Sequence, residues 1–385
     1  DRIIELLEGF TIPYLSGYWS EVKSIIAQGN AFHIDSVYWD EAQALMDGIT
    51  AAGYNSGGYT SLDVIAGNCV YDFASWPFLK KGMGPHCSTF FNWNDATSGT
   101  DLEGKSVIAR HGDGNPDSLL TANFAIVIHI PGEEYLHPWL HMGYVGEMAS
   151  TAILNSIGHF ISANGMDSGN WSPDTVAGYE PIIYTMRKAM ETFDYNQDGI
   201  NNLIDIKDII SSNQNGYSDG SIISIMGPST AVHDSMIAIV AEVAPEAPFL
   251  TFRSNSYEDS IPGDNLYAAN SQIARNNSMT FCWRYENMID HIGSGSNIGS
   301  QDNWDTMKTY SNMGNWNLYF LQFVPEWDQL KICVHQNNTG AYMHDPVTFD
   351  LNEFWQIPTR IKKPKALIKV FSVSPNPLTT STILS

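Results

Sequence analysis

The chain reads as an α+β protein in which antiparallel sheets are layered with helices. Three observations predict this. Apolar residues recur at helical spacing through most of residues 1–75, apolar runs of strand length take over from residue 87, and helical and strand patterns are then interleaved toward the C-terminus. The composition agrees: 43% apolar and 16% charged residues in a chain of 385 describe a folded protein with ample material for a core.

The first helical stretches are 18–26, 39–46 and 61–73, with Gly53, Gly57 and Gly58 breaking the second from the third. A Gly/Pro-rich turn, Lys81-Gly82-Met83-Gly84-Pro85, changes the character. Strands are expected at 87–92, 105–111, 122–130, 151–154 and 158–163, helices at 181–193 and 204–211, and strands again at 221–226 and 236–242. A hairpin, 317–324 with 329–335, turns around Pro325-Glu326-Trp327-Asp328. The division expected is a helical segment over 1–86, the main body over 87–360, and a basic linker opening a further element over 361–385.

Charge and cysteine usage narrow the function classes. A net charge of −23, from 42 acids against 19 bases, argues against nucleic-acid or anionic-membrane partners. No apolar run is long enough for a membrane span. A start at Asp1, without Met or signal peptide, is consistent with a processed secreted protein. Four cysteines are too few for a disulfide scaffold; Cys282 and Cys333 could pair, a point the sequence leaves open. Neither C-x-x-C nor H-E-x-x-H occurs, and the spacings of His129, His137, His141 and His159 fit no closed zinc set.

The chemistry concentrates at Cys87. It heads the apolar run Cys87-Ser88-Thr89-Phe90-Phe91 after Gly84-Pro85-His86, and 23 residues later the next strand carries Arg110-His111-Gly112-Asp113. A thiol nucleophile needs a proton acceptor and an orienting charge. Cleavage of the His86–Cys87 bond would supply the acceptor, because the released α-amine has a pKa near ~8. Arg110 would lower the thiol pKa and Asp113 would hold the amine.

The run Ser61-Leu62-Asp63-Val64 to Asp72, the Cys87-Ser88-Thr89-Phe90 strand and Gly104-Lys105-Ser106-Val107-Ile108-Ala109-Arg110-His111-Gly112-Asp113 resemble the acyl-coenzyme A:6-aminopenicillanic acid acyltransferase family of cysteine N-terminal-nucleophile (Ntn) hydrolases. Acid ceramidase and the bile-salt hydrolases are more distant members of that superfamily. Leu154-Asn155-Ser156-Ile157-Gly158, Leu266-Tyr267-Ala268-Ala269-Asn270-Ser271 and the segment 278–285 resemble its later motifs, in order, so the likeness covers roughly residues 15–355. It implies a four-layer αββα sandwich, with Cys87 as nucleophile, Asp113 as partner of its amine and Arg110 as orienting cation. Asn270 would donate to the oxyanion and Arg284 would complete the site.

A second motif lies between two expected helices. Asp194-Tyr195-Asn196-Gln197-Asp198-Gly199-Ile200-Asn201-Asn202-Leu203-Ile204-Asp205 matches an EF-hand loop, with oxygen donors at Asp194, Asn196, Asp198, the Ile200 carbonyl, Asn202 and Asp205, and Gly199 at the tight turn. A structural Ca²⁺ is therefore expected, and no organic cofactor. Millimolar calcium outside cells would fill such a site, and Val370-Phe371-Ser372-Val373-Ser374-Pro375 resembles the opening of sorting domains on secreted bacterial proteins, so an extracellular or cell-surface location is expected. Trp76, Trp93, Trp139 and Trp171 serve as core residues or as the walls of an acyl pocket.

The function expected is a secreted, self-processing cysteine amidohydrolase or acyltransferase acting on a small-molecule or peptide linear amide through a Cys87 thioester. The alternative is a non-catalytic, calcium-stabilised binding module on the same fold. Acyl and amine specificity and the oligomeric state are not legible.

Overall fold

A computed structural model describes residues 2–15, 17–73, 86–166, 176–213, 215–230, 236–256, 261–275 and 282–356, and the backbone of 366–372. The N-terminal part is helical as expected. Its elements are α1 (Arg2–Leu6), α2 (Ile12–Tyr14), α3 (Trp19–Ala27), α4 (Ser36–Ala51) and α5 (Ser61–Asn68), with π-type winding over Leu7–Thr11. Val22, Ile25 and Ile26 of α3 meet Tyr38, Ala42 and Met46 of α4 and Ile65 of α5, so the helical spacing in the sequence becomes one shared apolar face. A capping box at Thr60 and Asp63 starts α5, and Lys23 Nζ lies 2.6 Å from Asp63 Oδ1, joining α3 to it. The expected helix to residue 73 ends at Asn68 and continues as a 3₁₀ turn over Val70–Phe73.

Fourteen strands are described. The first seven are β1 (Ser88–Asn92), β2 (Val107–Asp113), β3 (Phe124–Pro131), β4 (Trp139–Tyr144), β5 (Ala152–Asn155), β6 (Phe160–Gly165) and β7 (Ser221–Met226). The others are β8 (Ala238–Val243), β9 (Leu250–Arg253), β10 (Asn265–Ala268), β11 (Asn317–Val324), β12 (Gln329–Val334), β13 (Val347–Asp350) and β14 (Ala366–Ser372). They form two antiparallel sheets, one ordered β10-β1-β2-β11-β12-β13 and one ordered β14-β3-β4-β5-β6-β7-β8-β9. The C-terminal segment expected to open a further element thus supplies an outer strand, with Ala366 to Ser372 paired to Pro131 to Ala125.

The remaining helices are α6 (Ser118–Ala122), α7 (Ile182–Glu191), α8 (Leu203–Ser211), α9 (Trp283–His291) and α10 (Ser300–Tyr310). Three cores separate the layers. Phe91, Ile108, Leu154, Phe160, Leu321 and Phe323 fill the space between the sheets. Ile161, Ile223 and Ile225 pack outward on α7 and α8, and Phe90, Tyr267 and Phe320 pack outward on α9 and α10. The result is the four-layer αββα sandwich expected from the resemblance, with α1–α5 added at one end. Tyr38 stacks on Tyr184 at 4.4 Å and Arg187 pairs with Glu41 at 2.7 Å, tying α4 to α7.

Two expectations about aromatic and sulfur residues resolve here. Trp93 lies in the inter-sheet core and Trp139 in the core beneath α7, the packing role; Trp76 and Trp171 lie outside the described residues. Cys282 and Cys333 belong to the same cluster but are unbridged, as are Cys69 and Cys87.

Candidate active site

The register of β1 on β2 assembles the site. Ser88 faces His111 and Thr89 faces Arg110, which sets Cys87 across from Gly112, and the His86 N–H donates to the Asp113 carbonyl at 3.0 Å. Side chains alternate across a strand, so Cys87, Thr89 and Arg110 share the face turned toward the second sheet. Gly112 is required at its position: a Cβ there would collide with the Tyr319 ring, which lies across it on β11.

Arg110 is fully buried and held by four bonds. It donates through Nε to Tyr319 Oη at 3.2 Å, through Nη1 to Thr89 Oγ1 at 3.2 Å and to Asn164 Oδ1, and through Nη2 to the Ala163 carbonyl at 2.8 Å. Burial opposes its charge, but Tyr319, Cys87 and Asp113 nearby raise its pKa, so it stays a cation. Its planar fork is thus fixed beside the thiol.

Asp113 projects from the end of β2 toward the α9 side. Arg284 Nη1 on α9 donates to its Oδ2 at 3.0 Å and Asn317 Nδ2 to its Oδ1 at 2.8 Å. Burial pushes the Asp113 carboxyl up to about 7, against the lowering pull of Arg284, Asn317, Arg110 and His86. Arg284 also donates through Nη2 to Asn270 Oδ1, and Asn270 Nδ2 donates to the Gly165 carbonyl. Asp113, Arg284 and Asn270 therefore form one buried chain, and the amide nitrogen expected to meet an oxyanion is directed at Gly165.

His111, beside Arg110 in sequence, turns to the opposite face. It stacks on Phe320 at 4.2 Å and bonds the Met307 carbonyl at 3.0 Å, and burial depresses its pKa to about 3. It is a neutral packing residue.

A cavity of about 170 Å³ opens onto Cys87, room for on the order of ten waters. Cys87 is 2% exposed, so the sulfur is reached through this space. Gly112 and Asp113 share its floor, Tyr71, Tyr144 and Tyr319 surround the thiol end, and Leu7, Phe10 and Tyr14 of the N-terminal helical run form an apolar wall. The aromatic lining comes from Phe10 and the tyrosines, and includes neither Trp93 nor Trp139.

Thr89, Asn164, Asn317, Tyr319 and the cavity residue Glu147 were not legible as site residues. Asn164 had the best signal, a polar residue at an inward position of β6. It holds Arg110 and donates to the Ala269 carbonyl at 3.1 Å.

The calcium-loop residues lie between α7 and α8. Asp194 Oδ2 accepts from Gly199 N at 3.0 Å, Asn196 Oδ1 from Asp198 N at 3.0 Å, and Asp198 Oδ1 from the Ile200 N–H at 2.8 Å. Asn202 is the N-cap of α8, and Asp205 closes its capping box while its Oδ1 accepts from Asn196 N at 3.2 Å. Asp194 Oδ1 is buried without a hydrogen-bond partner, which suits a cation ligand. Among the described residues, however, no three His, Cys, Asp or Glu side chains converge as a ready ligand set.

No family model matches this chain, and no curated protein does. Solved structures do. A Caenorhabditis elegans N-acylethanolamine-hydrolyzing acid amidase ortholog is similar at 13% identity and a TM-score of 0.42, over 62% of this chain and 93% of that one. Two variants of the conjugated bile acid hydrolase from Clostridium perfringens are similar at 12% and 11% identity, with TM-scores of 0.43 and 0.44. They cover 74% and 75% of this chain and 97% of theirs.

Proposed function

We propose that this chain is a self-processing cysteine Ntn-hydrolase of linear amides. The observation that carries the reading is the placement of Cys87 at the head of β1, opening into a cavity, with the Arg110 guanidinium on its own sheet face and Asp113 across the register from His86.

In the processing step, Cys87 Sγ adds to the His86 carbonyl carbon. The C–N bond breaks as the nitrogen takes a proton, and water hydrolyses the thioester, leaving a His86 carboxylate and a free Cys87 amine. That amine emerges beside the floor that Gly112 and Asp113 share with the thiol. In turnover it takes the thiol proton as Sγ adds to the substrate carbonyl and returns it to the departing amine. A second water cleaves the acyl-thioester. Arg110 stabilises negative charge at the sulfur, and Asp113, held by Arg284, orients the amine. For Asn270 to donate to the oxyanion, its bond to Gly165 has to be shared or released.

Intact-mass spectrometry of the purified chain tests this. Two fragments split between His86 and Cys87 are expected, with a single uncut species and no amide hydrolysis for Cys87→Ala. Amidase activity that survives Cys87→Ala defeats the reading, and an uncut, inactive wild-type chain favours a binding module.

The loop at 194–205 is proposed to hold a structural Ca²⁺ through Asp194, Asn196, Asp198, the Ile200 carbonyl, Asn202 and Asp205. The buried, unpartnered Asp194 Oδ1 supports this. An extracellular setting, rich in calcium, is the location that goes with it.

A further inference from the structure

Three acidic residues line the cavity that holds Cys87: Asp63, Asp113 and Glu147. Two of them have cations, Lys23 Nζ at 2.6 Å from Asp63 and Arg284 Nη1 at 3.0 Å from Asp113. Among the described residues, no cation pairs with Glu147. Its Oε2 accepts the Tyr144 N–H at 2.8 Å, and no described donor reaches Oε1. We propose that Glu147 is the substrate-recognition group of this cavity, selecting amides that carry a cationic amine, whose ammonium pairs with Oε1 while the amide carbonyl meets Cys87.

The proposal rests on the amide-hydrolase reading and names its substrate class. Glu147 and Cys87 line one cavity together with Tyr71 and Tyr144, so one ligand can reach both the carboxyl and the thiol. Glu147 is held in place by the shape of β4. A Cβ at Gly143 would collide with its Oε2 and with Ser150, so glycine leaves the room in which the carboxyl folds back.

The nearby walls are apolar, including Phe10, Val64, Met142 and Leu318, and an unpaired carboxylate there is costly. A ligand ammonium removes that cost and gains a charge-assisted bond. The groups facing the site are Cys87 and Tyr319 with Arg110 behind them, Tyr71, Tyr144, Asp113 with Arg284, and Asp63 with Lys23. Burial raises Glu147 to about 8, so cation binding near neutrality expels a proton from it. The net charge of −23 draws cations toward the molecule as a whole.

The test is calorimetric titration of the intact protein with hexylammonium and with hexanol, a pair alike in size but not in charge. At pH 7.5 the amine is expected to bind roughly tenfold or more tightly than the alcohol and to release a proton, seen as heat that changes with the buffer's ionisation enthalpy. In Glu147→Gln, whose amide oxygen can still accept the Tyr144 N–H, the two ligands should differ by about twofold or less and proton release should vanish. Gly143→Ala, which displaces the carboxyl, should lose the preference too. Equal binding of the two ligands by the wild type, or a preference that persists in Glu147→Gln, overturns the proposal. Binding needs no turnover, so the answer is independent of the mass and activity tests: an active but unselective enzyme defeats this inference alone, and a selective but uncut and inactive chain defeats the hydrolase reading alone.

Discussion

Arg110 makes four hydrogen bonds from one guanidinium, two of them to groups on the opposite sheet, Asn164 and the Ala163 carbonyl. No lysine can match that fork, since an ammonium has three donors around one nitrogen. Arg110→Lys is therefore expected to leave buried acceptors unmatched. It should lose about 2–4 kcal/mol of stability in urea unfolding and at least about tenfold in amide turnover. A lysine variant with unchanged stability and rate would show that the charge alone suffices. At this scale the sequence displayed what lies on adjacent strands: Cys87, Arg110 and Asp113 are local pattern. Asn164, Tyr319 and Asn317 take their roles from non-local neighbours, β11 paired with β2 and β6 reaching Arg110 from the other sheet, which no spacing within one strand encodes. His111 shows the converse. Its neighbour in sequence points into the site, and strand alternation carries it to the other face.

Elements were legible where helical spacing or an unbroken apolar run marked them, and β1–β3 and β5–β8 were among these although nearly every residue in them is buried. Spacing identified α3, α4 and α8, each of which buries one face, and α7, which buries eight of its ten residues. It passed over β4, Trp139–Tyr144, whose apolar run is interrupted by His141 and Gly143. It also passed over α10, a polar helix that buries only Asn303, Trp304 and Met307. The α7–loop–α8 unit supports a prediction at this scale. A ligand bound only by the folded loop at about 100 times its Kd adds about 2.7 kcal/mol. Chelation should accordingly lower the melting temperature, and calcium should restore it. In Asp198→Ala, which removes an exposed loop carboxylate, the calcium-dependent shift should disappear. A melting curve indifferent to chelator would leave the loop as an ion-free turn held by its own Asx bonds.

Over the whole molecule, buried titratable groups set a pH optimum of stability. Burial depresses six histidines, His111, His129, His137, His141, His159 and His335, so each is held neutral in the fold. Their unfolded counterparts take up protons below about 6.5, so these groups make stability rise with pH up to that value. Four carboxyls act in the opposite sense: burial raises Asp72, Asp113, Glu147 and Glu191, and the folded state holds protons that the unfolded chain has released. Their contribution is complete below the ordinary carboxylate range and is lost as pH rises, through about 7 for Asp113 and about 8 for Glu147. Six rising terms outweigh four falling ones below about 6.5, and only the falling ones persist above it. The melting temperature should therefore peak near pH 6.5 and decline toward pH 8.5. Glu147→Gln, which holds no titrating proton, should flatten that alkaline decline and leave the acid limb in place. A stability that climbs steadily to pH 8.5 would mean that Glu147 and Asp113 are ionised in the folded protein at neutrality, and that the cavity is wetter than its walls imply.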